Sequence, residues 1–99
     1  MPKYLIERDL PGAGKLGEEE LQAISAKSNA VLRAMGGDVV WQQTFVTADR
    51  MYCIYIAPSE DRIREHAARG GFPADTISRV TRVIDPATGW REDQPAADV

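Results

Sequence analysis

The sequence predicts an α+β domain of order βαββαβ, a four-stranded antiparallel sheet carrying two helices on one face. Three observations carry that expectation. Between Glu18 and Met35, apolar side chains recur at three- and four-residue spacing, the mark of an amphipathic helix. Val39 to Thr47 and Met51 to Ala57 are rich in β-branched and aromatic residues and are separated only by Ala48-Asp49-Arg50, which predicts an antiparallel hairpin. A second helix is expected after Ser59, where a capping residue and two acids open a segment that Gly70-Gly71 closes.

The elements follow in order. Lys3 to Arg8 reads as a first strand, ended by Asp9-Leu10-Pro11-Gly12 with further glycines at 14 and 17. In the first helix, Leu21, Ile24, Ser28, Val31, Leu32 and Met35 form one stripe. Glu18, Glu19 and Glu20 occupy its first turn, where the helix dipole favours acids, and Gly36-Gly37 lies past its end. Ser59 caps the second helix, with Glu60 and Asp61 in its first turn. Thr76 to Ile84 supplies the fourth strand. After Asp85-Pro86 the chain turns polar and rich in Pro, Ala and Asp. Residues 1–86 are therefore read as the domain and 87–99 as a loosely ordered tail with Trp90 as its one anchor.

The economical packing of this order is the ferredoxin-like arrangement, which leaves one sheet face uncovered. Along the third strand, Tyr52, Ile54 and Ile56 alternate with Met51, Cys53 and Tyr55. The aliphatic row is expected to meet the helices, leaving Cys53 and Tyr55 on the open face with Lys3, Leu5 and Glu7. Both rows of the second strand contain a glutamine and give no assignment. An open face bearing Met51, Tyr55 and Trp41 or Phe45 is too apolar for water. A face-to-face homodimer is expected, a dimeric α+β-barrel-like assembly whose sheets enclose a cleft.

With 99 residues, 43% hydrophobic and 27% charged, the chain has the size and balance of one globular domain. It lacks an apolar run long enough to cross a bilayer, and Met1-Pro2-Lys3-Tyr4 passes straight into a strand without a secretory leader. A cytoplasmic location is expected. The lone cysteine, Cys53, has no internal disulfide partner, which suits a reducing compartment. A net charge of −3 disfavours nucleic acid as a partner. Arg62, Arg64 and Arg69 are interleaved with Glu60, Asp61 and Glu65, the pattern of a solvated helix face.

Several motifs stand in a fixed order: Tyr4-Leu5-Ile6-Glu7-Arg8-Asp9-Leu10-Pro11-Gly12; Asp49-Arg50-Met51-Tyr52-Cys53-Ile54-Tyr55; Glu65-His66-Ala67 with Gly71-Phe72-Pro73-Ala74; and Ile84-Asp85-Pro86. In these the chain resembles a family of small ferredoxin-like proteins that share a domain of unknown function and include a member described as a nickel-binding protein. The resemblance implies a ferredoxin-like homodimer. For one relative it implies nickel bound at the dimer surface, as sequestration. It implies no shared catalytic activity and transfers no ligand residue by residue.

His66 is the only histidine and the most versatile group near neutral pH. It falls at the edge of the second helix's buried stripe, where the simplest role is packing with a hydrogen bond to the loop at Gly70 to Pro73. Cys53 in mid-strand reads as a small hydrophobe unless a neighbouring cation stabilises its thiolate. Glu7 shares the expected open face, and its simplest role is a salt bridge to Arg8, Arg79 or Arg82. Tyr55 is a hydrogen-bond donor suited equally to a ligand or an interface. Gly12-Ala13-Gly14-Lys15 lacks the spacing of a phosphate loop, with Leu16 where Ser or Thr belongs.

Two function classes follow. In the first the protein is a small ligand-binding protein that takes up nickel or another divalent metal, with His66, Glu7 and Cys53 as candidate ligands. In the second it is a cofactor-free enzyme with a cleft between the sheet and the second helix. Glu7 or His66 is then the general base and Tyr55 the hydrogen-bond donor.

Overall fold

The structure, a computed structural model, describes residues 1–90. Its strands are β1 (Lys3–Asp9), β2 (Val40–Val46), β3 (Arg50–Ile56) and β4 (Thr76–Val80), and its helices are α1 (Glu18–Ala34) and α2 (Glu60–Gly70). They run βαββαβ and form one antiparallel sheet in the order β2-β3-β1-β4. This is the ferredoxin-like α+β fold expected from the pattern. No helix among the described residues is long and apolar enough to cross a membrane.

Helix ends follow the local chemistry. Ser59 Oγ accepts the Arg62 N–H at the start of α2, and Gly71 takes the left-handed conformation, φ +69°, that ends it. That turn lets Phe72 N–H bond back to Ala67 C=O and swings the Phe72 ring over the helix. Arg62 donates to Asp38 and to the Met35 carbonyl at the end of α1, so it clasps the two helices instead of lying on a solvated face. The Asp38 carboxyl is held below the usual carboxylate range by that bond from Arg62. Arg64 and Arg69 do keep to the exposed side, paired with Glu60 and Glu65. In the glycine loop, the amides of Gly12 and Gly14 are spent on Asp49 Oδ1 and Ala48 C=O, which docks the loop on the β2–β3 hairpin. These amides are not free to cradle a phosphate.

The row assignment of the sheet is a correction. Met51, Cys53 and Tyr55 face the helices, while Tyr52, Ile54 and Ile56 lie on the open face. Register explains the inversion. Cys53 stands opposite Ile6, Tyr55 opposite Tyr4 and Met51 opposite Arg8, and paired residues share a face. Turning the isoleucines inward would carry Lys3 and Glu7 into the core with Leu5. Glutamines occur in both rows of β2 because a bulge between Trp41 and Gln43 breaks its alternation. Trp41 and Thr44 therefore both reach the helix side, opposite Tyr55 and Cys53. The open face carries Phe45, Val40, Leu5, Ile54 and Ile56 in place of Met51, Tyr55 and Trp41. It remains apolar, and Phe45 is 53% exposed.

β4 ends at Val80, short of the expected Ile84, because its one partner strand begins at Lys3, opposite Val80. Beyond it, Pro86–Gly89 forms a 3-10 turn capped by Asp85. Trp90, the expected anchor of the tail, is 55% exposed in the single chain. The remainder of that predicted tail lies outside the described residues.

Candidate functional site

The helix side of the sheet is not filled. A cavity of about 190 Å³ lies between α1 and strands β2 and β3. Leu21 and Ile24 of α1, Trp41, Val46 and Met51 of the strands, and Phe72 form its apolar wall. The opening exists because α1 turns small serines, Ser25 and Ser28, toward the sheet where larger side chains would close the gap. This is not the expected cleft, which was placed between the sheet and the second helix.

On the strand side of the cavity the polar groups are joined by hydrogen bonds. Trp41 Nε1 donates to Thr44 Oγ1 at 2.9 Å, and Thr44 Oγ1 donates to Cys53 Sγ at 3.1 Å. Cys53 Sγ also accepts from Arg8 Nε at 3.4 Å, so the cation that a reactive thiol requires stands beside it. Arg8 is 4% exposed. Its Nη2 donates to Tyr55 Oη at 3.5 Å, its Nη1 to the Pro73 carbonyl, and its guanidinium lies 5.7 Å from the Phe72 ring centre. Burial pushes the Tyr55 phenol up, and the Arg8 charge opposes that shift. Among the described residues no carboxylate forms an ion pair with Arg8.

His66 is fully buried at the centre of α2's inner stripe, not at its edge. Its Nε2 lies 3.1 Å from Ser28 Oγ on α1, so the hydrogen bond joins the two helices and does not reach the loop at Gly70 to Pro73. That loop meets His66 through Phe72 instead. The imidazole makes tilted contacts with the Tyr55 and Phe72 rings, at centroid distances of 5.3 and 5.6 Å. Among the described residues its Nδ1 has no partner. Burial lowers the His66 pKa, and the Arg8 charge lowers it further, so the ring is neutral near pH 7.

The expected site residues are only partly brought together. Cys53 and Tyr55 share the cavity with Arg8. Glu7 is on the opposite face, opposite Tyr52, and pairs with Arg50 at 3.3 Å instead of Arg8, Arg79 or Arg82. Glu7 therefore cannot act with Tyr55 on one substrate, nor with Cys53 on one ion, within a chain. Among the described residues no three His, Cys, Asp or Glu side chains group so as to hold a metal ion. The donor set of the described residues of a single chain does not fit a nickel centre. Arg8, Ser28 and Thr44 were not singled out as site residues in the sequence. Only Arg8 had a usable signal, a charge in the same strand row as Tyr4 and Ile6.

The family model described as "Nickel responsive protein SCO4226-like" matches residues 4–80. Among solved structures, the crystal structure of SCO4226 from Streptomyces coelicolor A3(2) is similar, with a TM-score of 0.70 and 19% sequence identity over 83% of this chain and 99% of that one. None of the curated proteins matches the sequence.

Proposed function

Since this chain belongs to the SCO4226-like family of nickel-responsive proteins, we propose that it is a small cytoplasmic binding protein that holds a small organic molecule in the cavity between α1 and the sheet. The observation that carries this reading is the cavity itself, a chamber of about 190 Å³ with a largely apolar wall and a hydrogen-bonded set of polar groups on its strand side, the usual form of a ligand site. Such a role suits a family responsive to nickel, because a response can be made by a protein that binds something other than the metal. A set of small aromatic molecules, charged and neutral, titrated into the full chain and followed by NMR amide shifts tests it. Binding in the cavity moves the signals of Ser25, Ser28, Thr44 and Cys53 together. Shifts confined to the open sheet face, or none at all, refute it.

A second reading, direct binding of nickel, is favoured by the family description. It calls for donors from two copies, because the described residues of one chain gather too few. We propose that the chain is a homodimer packed through the open face, where Phe45, Ile54 and Ile56 leave an apolar surface beside Glu7. Glu7 is then the one candidate ligand of the three that dimerisation doubles at a shared surface. His66 and Cys53 remain buried within each protomer. Nickel added in the same NMR experiment would broaden the signals around Glu7 if this reading holds, and leave them sharp if it fails.

A further inference from the structure

Arg8 is the only buried cation in the described part of the molecule, and its surroundings do not balance its charge. A guanidinium presents five N–H donors. The described residues supply three acceptors, Cys53 Sγ, Tyr55 Oη and the Pro73 carbonyl. None of the three is a carboxylate. A buried charge without a counter-charge is a costly arrangement, and proteins pair such groups or use them on ligands. Arg8 is not walled off from space either, because it lines the cavity.

Apart from the hydroxyls of Ser25, Ser28 and Thr44, the rest of the cavity wall is apolar. Leu21, Ile24, Trp41, Val46 and Met51 would strip water from an inorganic anion without replacing its hydrogen bonds. An occupant with an anionic head and a compact hydrocarbon body meets both conditions. Size narrows it further. A dry cavity of about 150 Å³ holds one benzene molecule, so about 190 Å³ accommodates a ring of that size and one small polar group.

Resting on the ligand-binding reading, we infer that the ligand is a small aromatic or branched-chain monocarboxylate, its carboxylate on the free N–H groups of Arg8 and its hydrocarbon body against Trp41, Met51 and Ile24. Tyr55 and Cys53 orient the guanidinium. The carboxylate supplies the missing negative charge, and the planar fork of Arg8 matches its two oxygens.

Sodium benzoate and its neutral isostere benzamide test the inference by calorimetry on the full chain, with inorganic phosphate as a third probe. Benzoate is expected to bind once per chain, roughly tenfold or more tighter than benzamide, the difference between a charge-assisted and a neutral hydrogen bond. Phosphate is expected not to compete. Arg8→Gln should erase the preference for benzoate, and Arg8→Lys, which keeps the charge if the first variant fails to fold, should retain part of it. Equal binding of benzoate and benzamide overturns the inference and leaves the ligand-binding reading standing, whereas binding of neither overturns both. One other result overturns it: thiolate ultraviolet absorbance from Cys53 in the free protein at neutral pH, because Arg8 would then already have its anion.

Discussion

Replacing His66 by alanine separates a packing role from a chemical one. The imidazole is fully buried in contact with Tyr55 and Phe72, so its removal opens a void beside two rings that must shift to fill it. Truncating a buried side chain of this size costs about 2–5 kcal/mol. Losing the contact with Ser28 adds about 1 kcal/mol, softened because a helical serine hydroxyl turns readily to a carbonyl one turn back. Acting the other way, the unpartnered Nδ1 leaves with the ring and relieves about 1–3 kcal/mol of desolvation. The balance is a loss of about 2–3 kcal/mol, or roughly 8–24 °C in Tm for a domain of this length. Urea unfolding followed by tryptophan fluorescence measures it. Both proteins must be compared at one concentration, because a dimer's stability depends on concentration. A loss below about 0.5 kcal/mol would show that the ring packs against nothing of consequence and would refute the reasoning.

The same histidine makes stability depend on pH. Its folded pKa is lowered while the unfolded chain titrates near 6.5, so below about pH 6.5 the unfolded state binds a proton that the folded state refuses. Stability then falls with falling pH by up to about 1.4 kcal/mol per unit. His66→Ala should flatten that slope just below about pH 6.5, and an unchanged slope would assign the titration elsewhere. On the open face, Phe45→Glu should convert a dimeric wild type to monomer in sedimentation equilibrium, because Phe45 is half exposed opposite Tyr52. A wild type that is already monomeric at high concentration removes the dimer. At Gly70, a Cβ would strike the Phe72 ring, so Gly70→Ala should lose about 1–3 kcal/mol by overpacking despite the helix propensity it gains. Stabilisation in thermal unfolding would contradict that contact.

The helices and the hairpin were legible because each carries its own local signal. Six stripe positions mark α1, and Ser59 and Gly71 bracket α2. The faces of the sheet were not legible, for reasons that can be named. In β2 the bulge beside Gln42 changes the period partway along the strand, so neither row reads cleanly. In β3 the isoleucines look like core residues and Cys53 does not, yet hydrophobicity within one strand cannot choose a face when both rows are apolar. The cavity was hidden for a related reason. It arises from the small size of Ser25 and Ser28 on α1 combined with the bulge that brings Thr44 and Val46 to the same side as Trp41, and no single segment contains both.

The choice of face was decided in β1, and it also decided the site. One row of that strand holds Lys3, Glu7 and Asp9 with Leu5, and the other holds Tyr4, Ile6 and Arg8. A strand in the middle of a sheet must turn one row to the helices. Burying the first row would desolvate three charges, whereas burying the second desolvates one, so the second goes inward. That choice sends Glu7 to the open face and dissolves the expected grouping of Glu7 with Cys53. Among the described residues it also leaves one cation inside with no carboxylate to meet it. Glu7 was the visible candidate because an acid beside a thiol suggests chemistry, but the lower-cost burial places Arg8 there instead, and a buried guanidinium on the strand side of a largely apolar cavity is built to meet an anion.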